Sequence, residues 1–198
     1  MLGLPKQTER KEQIAKSLIF KMLTLKHGDR TVIDNTFRRL DVVNVLHPKT
    51  LNVKEGKTVK SIYVLRAELG DKNYQKDHIM LLPKYIKQHL ILALSYAGQV
   101  RLAVKHKDDF FQWPYWQDEE NAKLELQGMS LEGIWDSFVS QIGNLSTGNE
   151  DLETKLKVKQ LENKLRKLQG QIAKAKNKAP LFAEYKRIEK ELREVKNG

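Results

Sequence analysis

LILALSYAGQVRLAVK, residues 90–105, decides the fold class. Two short apolar runs, Leu90 to Tyr96 and Val100 to Lys105, flank Ala97-Gly98, and short apolar runs around a two-residue turn read as a β-hairpin. Upstream the same β-branched texture recurs from Asp41, in VVNVL, TLNV and VKSIYVLRAEL, punctuated by His47-Pro48 and by Glu55-Gly56-Lys57. These read as further antiparallel strands. Between them and the hairpin, Ile79, Leu82, Tyr85 and Ile86 keep helical spacing, with Pro83 placed early enough to start that helix. Nearer the N-terminus two helices are expected, one opened by Ser17 and running through Leu18, Phe20, Met22 and Leu23. The other opens at Gly28-Asp29 and ends near Leu40, burying Val32, Ile33, Phe37 and Leu40 and turning Arg30, Arg38 and Arg39 outward. Downstream, Ala122 to Gln127 alternates like a strand. Ser130 then caps a helix whose buried stripe is Leu131, Ile134, Trp135, Phe138, Val139 and Ile142. The pattern predicts an α+β fold over residues 1–145, a mostly antiparallel sheet with helices on one face.

Residues 144–151, NLSTGNED, are small and polar, which suits a linker over 146–151. Beyond it Val158, Leu161, Leu165, Leu168, Ile172 and Ala175 alternate by three and four, the seam of a coiled coil. A break at Asn177 to Pro180 precedes a second seam of Leu181, Tyr185, Ile188, Leu192 and Val195. Two such helices joined by a few residues fold back as an antiparallel helical hairpin over 152–198. The expected lengths, ~40 and ~25 Å, leave one end of the longer helix uncovered.

Charge divides the 198 residues into three zones. Residues 1–107 carry 21 basic and 9 acidic side chains, 108–149 carry 1 and 8, and 150–198 carry 14 and 8, giving +11 in all. An excess of this size attracts polyanions through counterion release. In the tail Lys155, Lys157, Lys159, Lys164, Arg166, Lys167, Lys174, Lys176 and Lys178 face only Glu153 and Glu162, so nucleic acid is the expected partner there, with Arg38 and Arg39 as further contacts. Lysine dominance favours phosphate contacts over base readout. The acidic zone contains FFQWPYWQDEE, residues 110–120. Its Trp113, Tyr115 and Trp116 are candidate partner-binding residues, since Trp and Tyr concentrate at interface hot spots; the competing reading is an aromatic strand or loop that closes the core.

No catalytic signature in the sequence is complete. With no cysteine there is no disulfide, thiolate metal site or cysteine nucleophile, which suits a reducing cytoplasm. No phosphate-binding glycine loop and no Gly-x-Ser-x-Gly elbow occurs, and His27, His47, His78, His89 and His106 lack metal-ligand spacing. His47-Pro48-Lys49 imitates a His-x-Lys nuclease core, but Lys54 stands where the required Asp belongs. Asp41 with Glu55-Gly56-Lys57 imitates a restriction-nuclease metal site; that site needs its Glu and Lys on a strand, whereas Glu55-Gly56-Lys57 reads as a turn with Gly56 at positive φ. Asp41, Glu68 and Asp71 remain as a conceivable degenerate metal site. No cofactor is expected. No apolar run approaches the ~20 residues of a membrane span, and MLGLPKQTERKEQ does not read as a signal sequence, so a cytoplasmic location is expected.

Several stretches together carry a family resemblance: LGLPKQTE, LHPKTLNVKEGKTVKSIYVLRAEL, IMLLPKYIKQHLILALSYAGQVRLAVKHK and LQGMSLEGIWDSFVSQIG, followed by a Lys-rich helical tail. The chain resembles small bacterial proteins with an uncharacterised domain, often encoded beside DNA methyltransferase and helicase genes in restriction-type phage-defence loci. The resemblance implies a DNA-targeting defence setting and a cytoplasmic location, and supplies no catalytic residue. The expectation is a non-catalytic accessory subunit that docks on a helicase or methyltransferase partner while its basic tail contacts DNA or RNA. The alternatives are a metal-dependent nuclease and a homodimeric coiled-coil adaptor.

Overall fold

A computed structural model describes residues 2–22, 25–145, 150–175 and 178–197. The chain divides into two compact units, Met1–Asn144 and Leu145–Gly198.

The first unit is built on a seven-stranded sheet: β1 (Glu9–Gln13), β2 (Phe37–Leu46), β3 (Ile62–Leu69), β4 (His89–Tyr96), β5 (Gln99–His106), β6 (Asp109–Gln112) and β7 (Gln117–Asp118). β1 to β6 lie side by side in chain order, and β7 takes the edge of β5 beyond β6. All pairs are antiparallel except β3 and β4. A parallel pair requires a crossover, which α4 (Lys76–Tyr85) supplies. The remaining helices are α1 (Lys16–Met22), α2 (His27–Thr36), the single turn α3 (Pro48–Leu51) and α5 (Leu131–Gly143). The hairpin of residues 90–105 forms as expected, with Ala97 and Gly98 both at positive φ (48° and 79°), the twist a two-residue turn needs.

Helices cover both sheet faces rather than one. Ile19, Ile33, Ile79 and Leu82 of α1, α2 and α4 pack on Leu65, Ala67, Leu92 and Leu94. Side chains alternate along a strand, so the equally buried Ile91, Ala93, Leu102 and Val104 point the other way, toward the side on which α5 meets β5 and β6. Leu131, Ile134, Trp135, Phe138, Val139 and Ile142 are all buried there, and Ser130 Oγ caps α5 by accepting from Gly133 N.

Several local expectations are corrected. α1 starts at Lys16, so Ser17 lies inside it, and Leu23 falls outside the described residues. α2 stops at Thr36, and Phe37, Arg38, Arg39 and Leu40 belong to β2. The β2–β3 register shifts between Phe37 and Arg39. That bulge puts Phe37 and Leu40, three residues apart, into one core, and so mimics helical spacing. TLNV is not a strand: Pro48 at the helix start and a reciprocal cap between His47 and Thr50 wind Thr50 and Leu51 into α3, and Asn52 ends it in the left-handed conformation. α4 begins at Lys76, with Pro83 in its last turn. Residues 122–127 pair with no strand; Ala122 and Leu124 are buried, and the Gln141 amide takes both the N–H and the C=O of Glu125. Gly56 is not at positive φ. A Cβ there would lie 2.6 Å from Glu132 Oε2 and 2.8 Å from Val59 O, so glycine is needed for space.

Candidate nucleic-acid interface

The second unit is a pair of packed helices, α6 (Leu152–Lys174) and α7 (Ala179–Asn197). Asp151 caps α6 by accepting from Thr154 N at 2.8 Å. Leu161, Leu165, Leu168 and Ile188 are buried in the seam, flanked by Leu181, Tyr185, Leu192 and Val195. Lys157 near the start of α6 pairs with Glu191 late in α7, whereas Gln169 near the end of α6 meets Tyr185 early in α7, so the two helices run antiparallel. Gln169 Nε2 donates to the Tyr185 hydroxyl at 3.1 Å, and Lys196 reaches Glu162 at 2.8 Å. With 23 and 19 residues the helices are closer in length than expected.

One position before each residue of the expected seam, Val158 to Ala175, stands Lys157, Gln160, Lys164, Lys167, Gln171 or Lys174, and all six are exposed. The same alternation of three and four that aligns the seam aligns these side chains into a second row. At 1.5 Å per residue the row is about 26 Å long. Lys157 pairs with Glu191 at 3.3 Å. Lys164, Lys167 and Lys174 have no carboxylate within ion-pair reach among the described residues. α7 is balanced by contrast, with Lys186, Lys190, Arg193 and Lys196 each paired to a glutamate. Near the helix–helix connection Lys167, Gln171 and Lys174 border an open cleft of about 720 Å³ floored by Gly170, Ala175 and Leu181. The basic excess of the tail is therefore concentrated on one helix, and its lysines form a row.

The other sequence-selected residues are placed as follows. Arg166 and Lys178 are exposed, Lys155 and Lys159 are half-buried, and Lys176 lies outside the described residues. Burial lowers the Lys159 pKa, against the opposing charge of Glu162. Arg38 and Arg39 belong to the sheet unit: an Arg38 Nη donates to Gly70 O at 3.3 Å, and Arg39 Nε sits 2.8 and 2.9 Å from the two Asp41 oxygens, which raises the Arg39 pKa. The aromatic segment divides. Phe110 to Gln112 extend the sheet as β6, Trp113 is buried, and Arg101 holds the Trp113 and Pro114 carbonyls at 2.6 Å. Trp116 meets Tyr74 edge-on at 6.3 Å, and Tyr115 is 76% exposed. Of the three partner-binding candidates, Tyr115 is the one fully presented to solvent. Gln160 and Gln171 escaped the sequence reading because it weighed charge alone; the three-four spacing was the signal.

Asp41, Glu68 and Asp71 do not assemble. Asp41 is engaged by Arg39, Asp71 accepts from Asn73 N at 2.8 Å, and among the described residues no three acidic or histidine side chains are placed to hold a metal. Glu55-Gly56-Lys57 lies outside any strand. No described helix is long and apolar enough to cross a membrane.

A family described as a domain of unknown function, DUF4391, matches residues 2–192. No curated protein and no solved structure matches the chain.

Proposed function

The chain belongs to the DUF4391 family, and we propose that it is a non-catalytic, nucleic-acid-binding accessory subunit of a bacterial DNA-targeting phage-defence complex. The lysine row of α6 carries the binding half of this reading. Four lysines over about 26 Å match the reach of several consecutive phosphates, and lysine ammoniums neutralise phosphate without reading bases. Gln160 and Gln171 add neutral hydrogen-bonding groups to the same row, and the cleft beside Lys167 and Lys174 offers an apolar floor for a sugar or base. The defence setting, the cytoplasmic location and the helicase or methyltransferase partner rest on the resemblance of the sequence motifs, with Tyr115 as the exposed aromatic suited to docking.

The test is fluorescence anisotropy of labelled duplex DNA, single-stranded DNA and RNA over a salt series. The native chain is compared with a variant carrying Lys157→Gln, Lys164→Gln, Lys167→Gln and Lys174→Gln. Each lost phosphate contact lowers the slope of log K against log salt by about 0.7 to 0.9, so the variant should lose about 3 in slope. Absence of binding at low salt, or an unchanged slope in the variant, would sink the proposal.

A further inference from the structure

His89 and His106 flank Trp135 at one end of the β4–β5 ladder. The register pairs Ile91 with Val104, and one further alternation along both strands sets His89 against His106. Both rings meet the indole of Trp135 on α5, at centroid distances of 4.8 and 6.3 Å. Trp135 Nε1 donates to His106 Nδ1 at 3.1 Å. The indole is only a donor, so His106 Nδ1 holds a lone pair and a neutral His106 carries its proton on Nε2.

The chain segments that enter β4 and leave β5 meet at this same end, and both are basic. Lys87 precedes β4, Lys105 lies near the end of β5, and Lys107 sits in the following turn with φ 53°. Together with His89, His106 and Trp135 they line a cavity of about 360 Å³. Lys87 and Lys105 have no carboxylate within ion-pair distance among the described residues, and the His89 ring has no hydrogen-bond partner there. Among the described residues the carboxylate whose field reaches His89 is Glu132, and it already accepts from the Thr58 hydroxyl and from the N–H groups of Thr58 and Val59. Burial lowers the His89 pKa. The cavity thus gathers three lysines and an unpartnered imidazole, and it lies at the small end of the range for ligand sites.

We infer that this cavity binds a phosphate monoester, with Lys87, Lys105 and Lys107 surrounding the dianion and His89 donating to it. A monoester brings nearly two negative charges and several acceptor oxygens, which compensates the Lys87 and Lys105 ammonium groups and favours protonated His89. The titratable and charged groups facing His89 are His106 from β5, Glu132 from α5, Lys87 ahead of β4, and Lys105 and Lys107 from β5 and its turn. The monoester has two sources, the 5′-terminal phosphate of a nucleic-acid strand or a free mononucleotide. The site lies in the sheet unit and uses none of the α6 lysines, so it stands or falls separately from the proposed tail interface.

The experiment follows the histidine Cε1–H resonances of the full chain by NMR across pH, with inorganic phosphate, AMP, adenosine, and a dinucleotide with or without a 5′-phosphate. With AMP the His89 midpoint should rise by about one unit, and adenosine should leave it unmoved. Lys87→Gln with Lys105→Gln should abolish the rise while tryptophan fluorescence and the thermal midpoint stay native. A response to the 5′-phosphorylated dinucleotide exceeding that to AMP assigns the strand end, and the reverse assigns the mononucleotide. If AMP and phosphate leave His89 unmoved at millimolar concentration, if adenosine acts as AMP does, or if the double variant still responds, the inference is overturned.

Discussion

Glu132, in the first turn of α5, accepts the hydroxyl of Thr58 at 2.5 Å and its backbone N–H at 3.0 Å, across a sequence separation of 74. This contact ties the irregular segment before β3 to the helix on the far side of the sheet. The Thr58 hydroxyl is the main cause that holds the Glu132 carboxyl below the usual carboxylate range; burial opposes the shift, and the N–H groups of Thr58 and Val59 add to it. A carboxyl lowered in the folded state is protonated first in the unfolded chain. Its stabilisation is therefore complete above the unfolded value and fades as pH falls from there through the lowered value. Glu132→Gln should cost about 1–2 kcal/mol at pH 7 and flatten the acid limb of stability against pH. Urea denaturation at pH 7 and near pH 3 checks both; an acid limb as steep as the native one would refute the assignment.

Gly56 follows from the same contact. Its missing Cβ leaves room for Glu132 Oε2 at 2.6 Å and Val59 O at 2.8 Å. Gly56→Ala should destabilise by about 1–3 kcal/mol, as overpacking does. Adding Glu132→Ala removes one of the two obstacles, so the double variant should be less destabilised than the sum of the singles. Additive losses in a double-mutant cycle would show that the two positions do not interact.

The β4–β5 turn offers a gain instead. Ala97 holds φ 48° without a side chain suited to it, and a left-handed conformation costs a non-glycine residue roughly 1–2 kcal/mol. Ala97→Asn produces the Asn-Gly pair that such turns prefer. The thermal midpoint should rise by a few degrees, about 1 kcal/mol in a domain of this size. A lower midpoint would mean that the turn is not as described.

Thr8 and Asn44 are both fully buried, and Asn44 Nδ2 donates to Thr8 Oγ1 at 2.9 Å while that hydroxyl donates to Pro5 O at 2.7 Å. Asn44 Oδ1 has no partner among the described residues. Thr8→Val keeps the shape and strands the Asn44 amide as well, so it should cost about 1–3 kcal/mol. Hydrogen exchange of the β1 amides should accelerate more than that of β4; uniform protection in the variant would argue against a local role.

Legibility in the sequence followed how far each element depends on its neighbours. The β4–β5 hairpin and α5 were readable because Ala97-Gly98 and the stripe from Leu131 to Ile142 are local signals. β1 was not: ERKEQ is charged on both faces, as an exposed edge strand tolerates, and no apolar alternation marks it. The end of α2 was misplaced because the bulge in β2 gives Phe37 and Leu40 a helix-like spacing. Residues 122–127 alternate as a strand does, yet their polar partner is the Gln141 side chain rather than another strand. In the tail the apolar seam was visible from Leu161 to Leu168 and from Leu181 to Val195, and the lysine row beside it becomes visible only when Gln160 and Gln171 are placed with the cations. The His89–Trp135–His106 cluster had no sequence signal, since only the β4–β5 register and the packing of α5 bring those three residues together.

The two-unit organisation makes the tail separately testable, because all three tryptophans, Trp113, Trp116 and Trp135, lie in the sheet unit. Near-ultraviolet and fluorescence signals from indole therefore report that unit, whereas helicity also reports α6 and α7. Ile188 is 5% exposed and packs against Leu161, Leu165 and Leu168. Ile188→Ala should destabilise the helix pair by about 2–4 kcal/mol through lost burial and the cavity it leaves. The two packed helices lack a large core of their own, so a loss of that size should melt them at a temperature where the indole signals remain native. Once α6 frays, Lys157, Lys164, Lys167 and Lys174 no longer form a row, and nucleic-acid affinity should fall although no charge has been removed. Circular dichroism at 222 nm, tryptophan fluorescence and anisotropy on the same samples separate the outcomes. Lost helicity with unchanged affinity would mean that the lysines act as a flexible polycation, and that the ordered row on α6 is not what meets the phosphates.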